Sequence, residues 1–166
     1  MSFVALLRGI NLGARNKVDM KSLKVLFEEM GYENVRTYIQ TGNVIFDNAA
    51  YDVSAIETAL LEKYGFEIPV IVRSREQLEE IQQHPIFLKD QVYIMFLAHE
   101  ISEEQQALLG ELVEDEFVVW NRKNIIINLS KSYHETKYTN NFFEKKLSMT
   151  STARNQNTVN KIVLKM

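Results

Sequence analysis

The sequence predicts an α+β fold of two tandem βαββαβ (ferredoxin-like, α/β plait) subdomains, each with a trailing helix. Three observations predict it. Short β-branched and apolar runs alternate with stretches of helical periodicity in the order strand, helix, strand, strand, helix, strand, helix. That order restarts near Val92. Turn-forming residues, Gly42-Asn43 in one half and Asn121-Arg122-Lys123-Asn124 in the other, stand between the two strands expected to form each hairpin.

Residues 3–7 form the first apolar run, followed by a loop holding Gly9 and Gly13. Asp19 is a suitable N-cap, Met20, Leu23, Phe27 and Met30 recur at helical spacing, and Gly31 ends the helix. Residues 35–39 and 44–46 are rich in β-branched and aromatic side chains and make the hairpin. Val53, Ile56, Leu60 and Tyr64 trace a second helical face, with Ser54 and Glu57 spaced as a capping box and Gly65 as terminator. Residues 68–72 form the fourth strand, and Ser74 and Gln77 frame a helix that Pro85 ends.

The second half follows the same order. A strand at 92–97 precedes a helix opened by Ser102 and Gln105, with Leu108, Leu109 and Leu112 on its apolar face. Residues 117–120 and 125–129 pair as a hairpin; Phe142, Phe143 and Leu147 mark a helix; a strand at 150–154 and a helix from about Thr158 complete the copy. The halves share element order, not obvious residue identity. The expected boundary separates residues 1–88 from 89–166, the alternative being one compact unit. Residues 3–7 and 92–97 are apolar at every position, so both faces of those strands should be buried. Two sheets, or two subunits, would then cover each other.

A chain of 166 residues can bury a core without staples, and the absence of cysteine excludes disulfides, thiolate metal sites and a cysteine nucleophile. The apolar start lacks the basic segment and cleavage site of a signal peptide, and no run reaches the roughly 18 residues of a membrane span. A cytoplasmic location is the default expectation. Charge is uneven around a net −3. Residues 1–24 carry five cations against Asp19 alone, a balance of +4; residues 121–166 reach +7; the stretch between them is −14. Converging ends would make a positive patch for phosphates or other acidic ligands; ordinary solvated surface is the alternative.

Plait topology makes neighbours of the loop 8–17 and the hairpin turn 40–43. That loop offers Arg8, Arg15 and Lys17, glycines that permit close backbone approach, and Asn11 and Asn16 as amide donors, an arrangement resembling an anion cradle. Gln40 and Asn43 face it across the turn. The spacing matches neither a Walker loop nor a dinucleotide fingerprint, and turn-serving glycines with Arg8 paired to an acid are the structural alternative. At the other end, segment 131–138, with Lys131, Ser132, His134 and Lys137, should meet segment 153–158, with Arg154, Asn155, Asn157 and Thr158. Asn157 or Thr158 alternatively caps the last helix. His134 beside Glu135 reads as a solvated loop pair, and no two histidines have metal-ligand spacing, so no metal or cofactor is expected.

The segments Leu6-Leu7-Arg8-Gly9-Ile10-Asn11, Thr37-Tyr38-Ile39-Gln40-Thr41-Gly42-Asn43-Val44-Ile45-Phe46, Pro69-Val70-Ile71-Val72-Arg73 and Ala153-Arg154-Asn155-Gln156-Asn157-Thr158-Val159 resemble the hallmark segments of an uncharacterised bacterial family, domain of unknown function 1697. The resemblance runs nearly end to end. It implies paired α/β-plait subdomains and no established activity, with signature positions at Arg8, Gly9, Asn11, Lys17, Tyr38, Gln40, Gly42, Asn43, Lys137, Arg154, Asn155, Asn157 and Thr158. It also implies a glycine-bearing turn where Tyr133-His134-Glu135-Thr136 stands, and a tryptophan where Gln156 stands. These two departures put ligand contacts there in doubt.

The favoured functional expectation is binding of, or chemistry on, a small anionic or phosphorylated molecule through Arg8, Asn11, Lys17, Gln40, Asn43, Lys137, Arg154 and Asn155. A nucleic-acid-binding module on the same basic surface is the first alternative, and the doubly buried strands count against its base-stacking form. A structural or oligomeric role without a ligand is the second. The sequence contains no motif that fixes a reaction type.

Overall fold

The computed structural model describes residues 1–166. The chain divides into two compact units, Met1–Leu78 with Ile162–Met166, and Glu79–Lys161. No helix is long and apolar enough to cross a membrane.

The first unit contains β1 (Ser2–Leu7), α1 (Met20–Glu29), β2 (Glu33–Tyr38), β3 (Asn43–Asp47), α2 (Val53–Tyr64) and β4 (Val70–Ser74). The strands order β2-β3-β1-β4, every neighbour antiparallel, as two interleaved β-α-β crossovers produce. Phe3, Ala5, Leu7, Val44, Phe46, Val70 and Val72 point toward Leu23 and Phe27 of α1 and Ile56 and Leu60 of α2, forming the core. Val4, Leu6, Ile45 and Ile71, on the opposite face, are buried as well, as the unbroken apolar runs require.

Two local expectations are corrected. The cap of α2 is Asp52, whose carboxylate accepts the Ala55 N–H at 3.1 Å, not Ser54. Glu57 instead accepts the Val70 N–H at 2.8 Å. The fourth strand begins at Val70, two residues later than its apolar run, because Pro69 has no N–H to give a ladder. An irregularity between Glu33 and Arg36, with Asn34 at φ 51°, bends β2. The last turn of α6 (Gln156–Lys165) belongs to this unit: the Arg36 Nε donates to the Lys165 carbonyl at 2.8 Å, and the Lys165 ammonium lies 5.5 Å from the Tyr38 ring centre.

The second unit takes the end of α3 (Arg75–Gln83), a 3-10 turn at Pro85–Leu88, then β5 (Val92–Leu97), α4 (Glu103–Leu112), β6 (Glu116–Trp120), β7 (Asn124–Asn128), α5 (Asn140–Leu147) and β8 (Ser151–Asn155). Its sheet orders β6-β7-β5-β8, again antiparallel throughout. Met95, Leu97, Ile125 and Ile127 pack on Leu109, Phe143 and Leu147. Ser102 and Gln105 form the expected reciprocal capping box. Glu80 of α3 accepts from the Asn121 amide at 2.9 Å and the Trp120 indole at 3.4 Å, tying the helix to the hairpin.

The repeat reaches individual residues once the registers are compared. Asn43 lies opposite Leu6 as Asn124 lies opposite Phe96, and both are buried with their amides donating to the end of the preceding strand, at the Tyr38 and Trp120 carbonyls. Arg73 lies opposite Val4 as Arg154 lies opposite Ile94. Two asparagines and two arginines at matched positions are too sparse to show in a linear reading.

Candidate functional site

At the end of the first sheet, residues 8–17 fold back as a small hairpin. The Asn11 N–H donates to the Asn16 carbonyl at 2.9 Å, and Leu12 and Arg15 form an isolated bridge. Gly9, Asn11, Gly13 and Asn16 all adopt positive φ, where glycine and asparagine cost least. The Asn11 side chain accepts the Val18 N–H at 2.9 Å and donates to the carbonyls of Val18, at 3.1 Å, and Gln40, at 2.8 Å. Asn16 donates to the Gly9 carbonyl. The expected meeting of this loop with the turn 40–43 is therefore real, and the Leu7 N–H donates to the Gly42 carbonyl at 2.9 Å.

The same bonds settle what several candidates do. Asn11 is the pin between loop and turn. Asn43 is fully buried, with its amide committed to the Tyr38 carbonyl and the Thr41 hydroxyl. Gln40 is exposed and contributes its carbonyl to Asn11. Arg8 is half-buried, with its N–H on the Pro69 carbonyl, and Lys17 is exposed.

In the second unit the loop after β7 meets the junction of β8 and α6, as expected, and a cleft of about 350 Å³ opens between them. Ser132, Tyr133 and His134 line one side, Asn155, Gln156 and Asn157 the other, with residues 90–93 forming the floor. Tyr133 stacks on Tyr93 with ring centres 4.5 Å apart, and its hydroxyl accepts the Asn140 N–H at 2.9 Å. Burial raises the Tyr133 phenol above its ordinary pKa. Asn155 caps α6 by accepting the Thr158 N–H at 2.8 Å, so the helix starts two residues before Thr158 and the cap is neither Asn157 nor Thr158.

Gln156 holds the cleft floor. Its amide donates to the carbonyls of Phe87 and Lys89, and its oxygen accepts the Val92 N–H. An indole at this position, with one donor and no acceptor, could not make these three bonds. Lys137 and Lys131 line a separate recess of about 210 Å³ with Glu114, Asp115 and Glu135, where Lys137 lies over the Tyr138 ring. Arg154 turns away from the cleft into the buried face, donating to the Thr152 hydroxyl at 2.7 Å and the Ala153 carbonyl at 2.9 Å. Desolvation lowers its pKa to about 10, and that of Arg73 equally.

The sequence did not single out Tyr93, and it marked Gln156 only as a departure from what the family resemblance implies. Tyr93 sits in a run that reads as wholly buried, and only its phenol hydroxyl separates it from its apolar neighbours. Gln156 stands within five consecutive polar residues, Arg154 to Thr158, and the linear pattern does not show that its amide bonds to Phe87, Lys89 and Val92.

Two antiparallel plait units, one carrying an aromatic-walled polar cleft, define the molecule as a duplicated α/β-plait protein. The chain belongs to the family described as Protein of unknown function (DUF1697), whose model matches residues 1–125. It is similar to the solved structure of the conserved bacterial protein SP0830 from Streptococcus pneumoniae, with 25% identity, a TM-score of 0.76, and coverage of 99% of this chain and 97% of that one. No curated protein matches the chain. The family match contains the loop 8–17 and turn 40–43 and ends before the cleft segments at 132–134 and 155–157.

Proposed function

We propose that the protein binds a small anionic, phosphate-bearing molecule in the cleft of the second unit. The observation that carries this reading is the convergence of Ser132, His134, Asn155 and Asn157 around one concavity of about 350 Å³. A hydroxyl, an imidazole and amides provide hydrogen-bonding groups, and the first turn of α6 adds N–H groups and the positive end of its dipole. The Tyr93–Tyr133 pair gives the apolar wall on which a ring or sugar can lie. Asp90 also lines the cleft, and the net +7 of residues 121–166 offsets it only as a longer-range field, since Lys131 and Lys137 line the separate recess and Arg154 is turned away. Arg8, Asn11, Lys17, Gln40 and Asn43 lie on the first unit and do not line this cleft. A cytoplasmic site of action agrees with the cysteine-free composition.

A thermal-shift screen of nucleotides and sugar phosphates tests the proposal. At least one compound should raise Tm in a concentration-dependent way. Asn157→Ala, at an exposed position, should keep the unliganded Tm and lose most of that rise. A screen in which no phosphate compound stabilises the protein overturns the reading.

A further inference from the structure

The first unit carries a knob and a groove of opposite character on neighbouring parts of its surface. The knob is the small hairpin 11–16. Leu12 at its tip is 62% exposed, and its bridge partner Arg15 and the intervening Ala14 are exposed beside it. This loop is not loose: Asn11 and Asn16 bond it to Val18, Gln40 and Gly9, and four residues hold positive φ to keep its shape. The bonded scaffold thus holds one leucine out into water next to a cation, a shape that a recess of complementary polarity and charge can take up.

The groove, of about 300 Å³, runs along α2 and the connection to β4. Leu61, 42% exposed, with Ile68 and Pro69, gives it an apolar floor, while Glu57 and Glu67 supply acid at its sides. Pro69 at one end accepts the Arg8 N–H at 3.0 Å, so the groove starts where the knob's loop leaves β1. An apolar tip with a cation and an apolar slot with carboxylates are complementary in both polarity and charge.

We propose that a second copy of this chain covers this face, with the Leu12 knob of each protomer seated in the Glu57–Glu67 groove of the other. Knob and groove belong to one unit and their segments meet at the Arg8–Pro69 bond, so a two-fold axis is the symmetry by which two copies would use both contacts. The reciprocal arrangement uses each contact twice, which helps reach the roughly 1,200 Å² that specific interfaces bury. The chain's own acid-rich middle, at −14, is the complementary partner for its basic N-terminal loop. This goes beyond the ligand reading and is independent of it, because the cleft belongs to the other unit.

Sedimentation velocity over a concentration series tests it, with circular dichroism confirming that each variant is folded. The full-length protein should dimerise, less tightly at about 0.5 M salt than at about 0.05 M, because screening shortens the reach of the charges. Leu12→Asp should be monomeric. Arg15→Glu and Glu67→Lys should each raise the dissociation constant at least tenfold. Mixed together, these two should form a heterodimer as tight as wild type, since one contact is then charge-reversed and the other native. A wild-type protein that stays monomeric throughout, a dimer indifferent to Leu12→Asp, or a mixture that fails to recover affinity overturns the proposal.

Discussion

A β-carbon at Gly42 would lie 2.7 Å from the Ile10 Cδ1 and 2.9 Å from the Leu7 Cβ, and the residue stands at φ 96°. Gly13 also has positive φ, but open space surrounds its missing side chain. Left-handed backbone costs an L-residue about 1–2 kcal/mol, and overpacking adds about 1–3 kcal/mol. Gly42→Ala should therefore lower the unfolding free energy by about 2–5 kcal/mol, and Gly13→Ala by only about 1–2 kcal/mol; urea denaturation of both variants measures the difference. Arg154 gives a pH-dependent case. Burial lowers its pKa to about 10, so the native state starts to release this proton near pH 10, while the unfolded chain holds it to higher pH. In that window the unfolded state binds more protons, and stability rises with pH. The gap between wild type and Arg154→Met should stay constant from about pH 6 to 9 and move in favour of wild type above about pH 10. Denaturation at several pH values reads it, and a gap that narrows above pH 10 contradicts the assignment.

At the scale of elements, capping decides where helices begin, and the sequence was legible where donor and acceptor are both local. Ser102–Gln105 and Ser74–Gln77 form their reciprocal boxes as their spacing predicts. Ser54–Glu57 has the same spacing and fails, because Glu57 is drawn to the Val70 N–H, a group 13 residues away. Asp52 then caps α2. Asp52→Ala and Ser102→Ala should each cost about 1 kcal/mol, while Ser54→Ala should leave the unfolding midpoint unchanged. Equal losses at Asp52 and Ser54 would reverse the assignment. Asn11, Asn43 and Asn155 follow the same lesson. Their residue type says that they will make hydrogen bonds, but only the fold decides that the partners are backbone groups of Val18, Tyr38 and Thr158.

For the whole molecule, element order was readable because helical and strand periodicities are local, and the two sheets carry the order 2-3-1-4 twice. The site was readable only as segments. Plait topology correctly brought residues 132–134 to 155–157, yet side-chain direction along β8 sends Arg154 to the face opposite the cleft that Asn155 borders, since neighbouring strand residues alternate. A charge tally cannot see that alternation. The central claim, that the second unit's cleft receives an anionic ligand, is tested most directly by mapping amide chemical shifts while titrating the best-stabilising nucleotide or sugar phosphate into labelled protein. Saturable shifts concentrated at Ser132, His134, Asn155 and Asn157 are expected. Shifts that never saturate, or that cluster away from these residues, would contradict it.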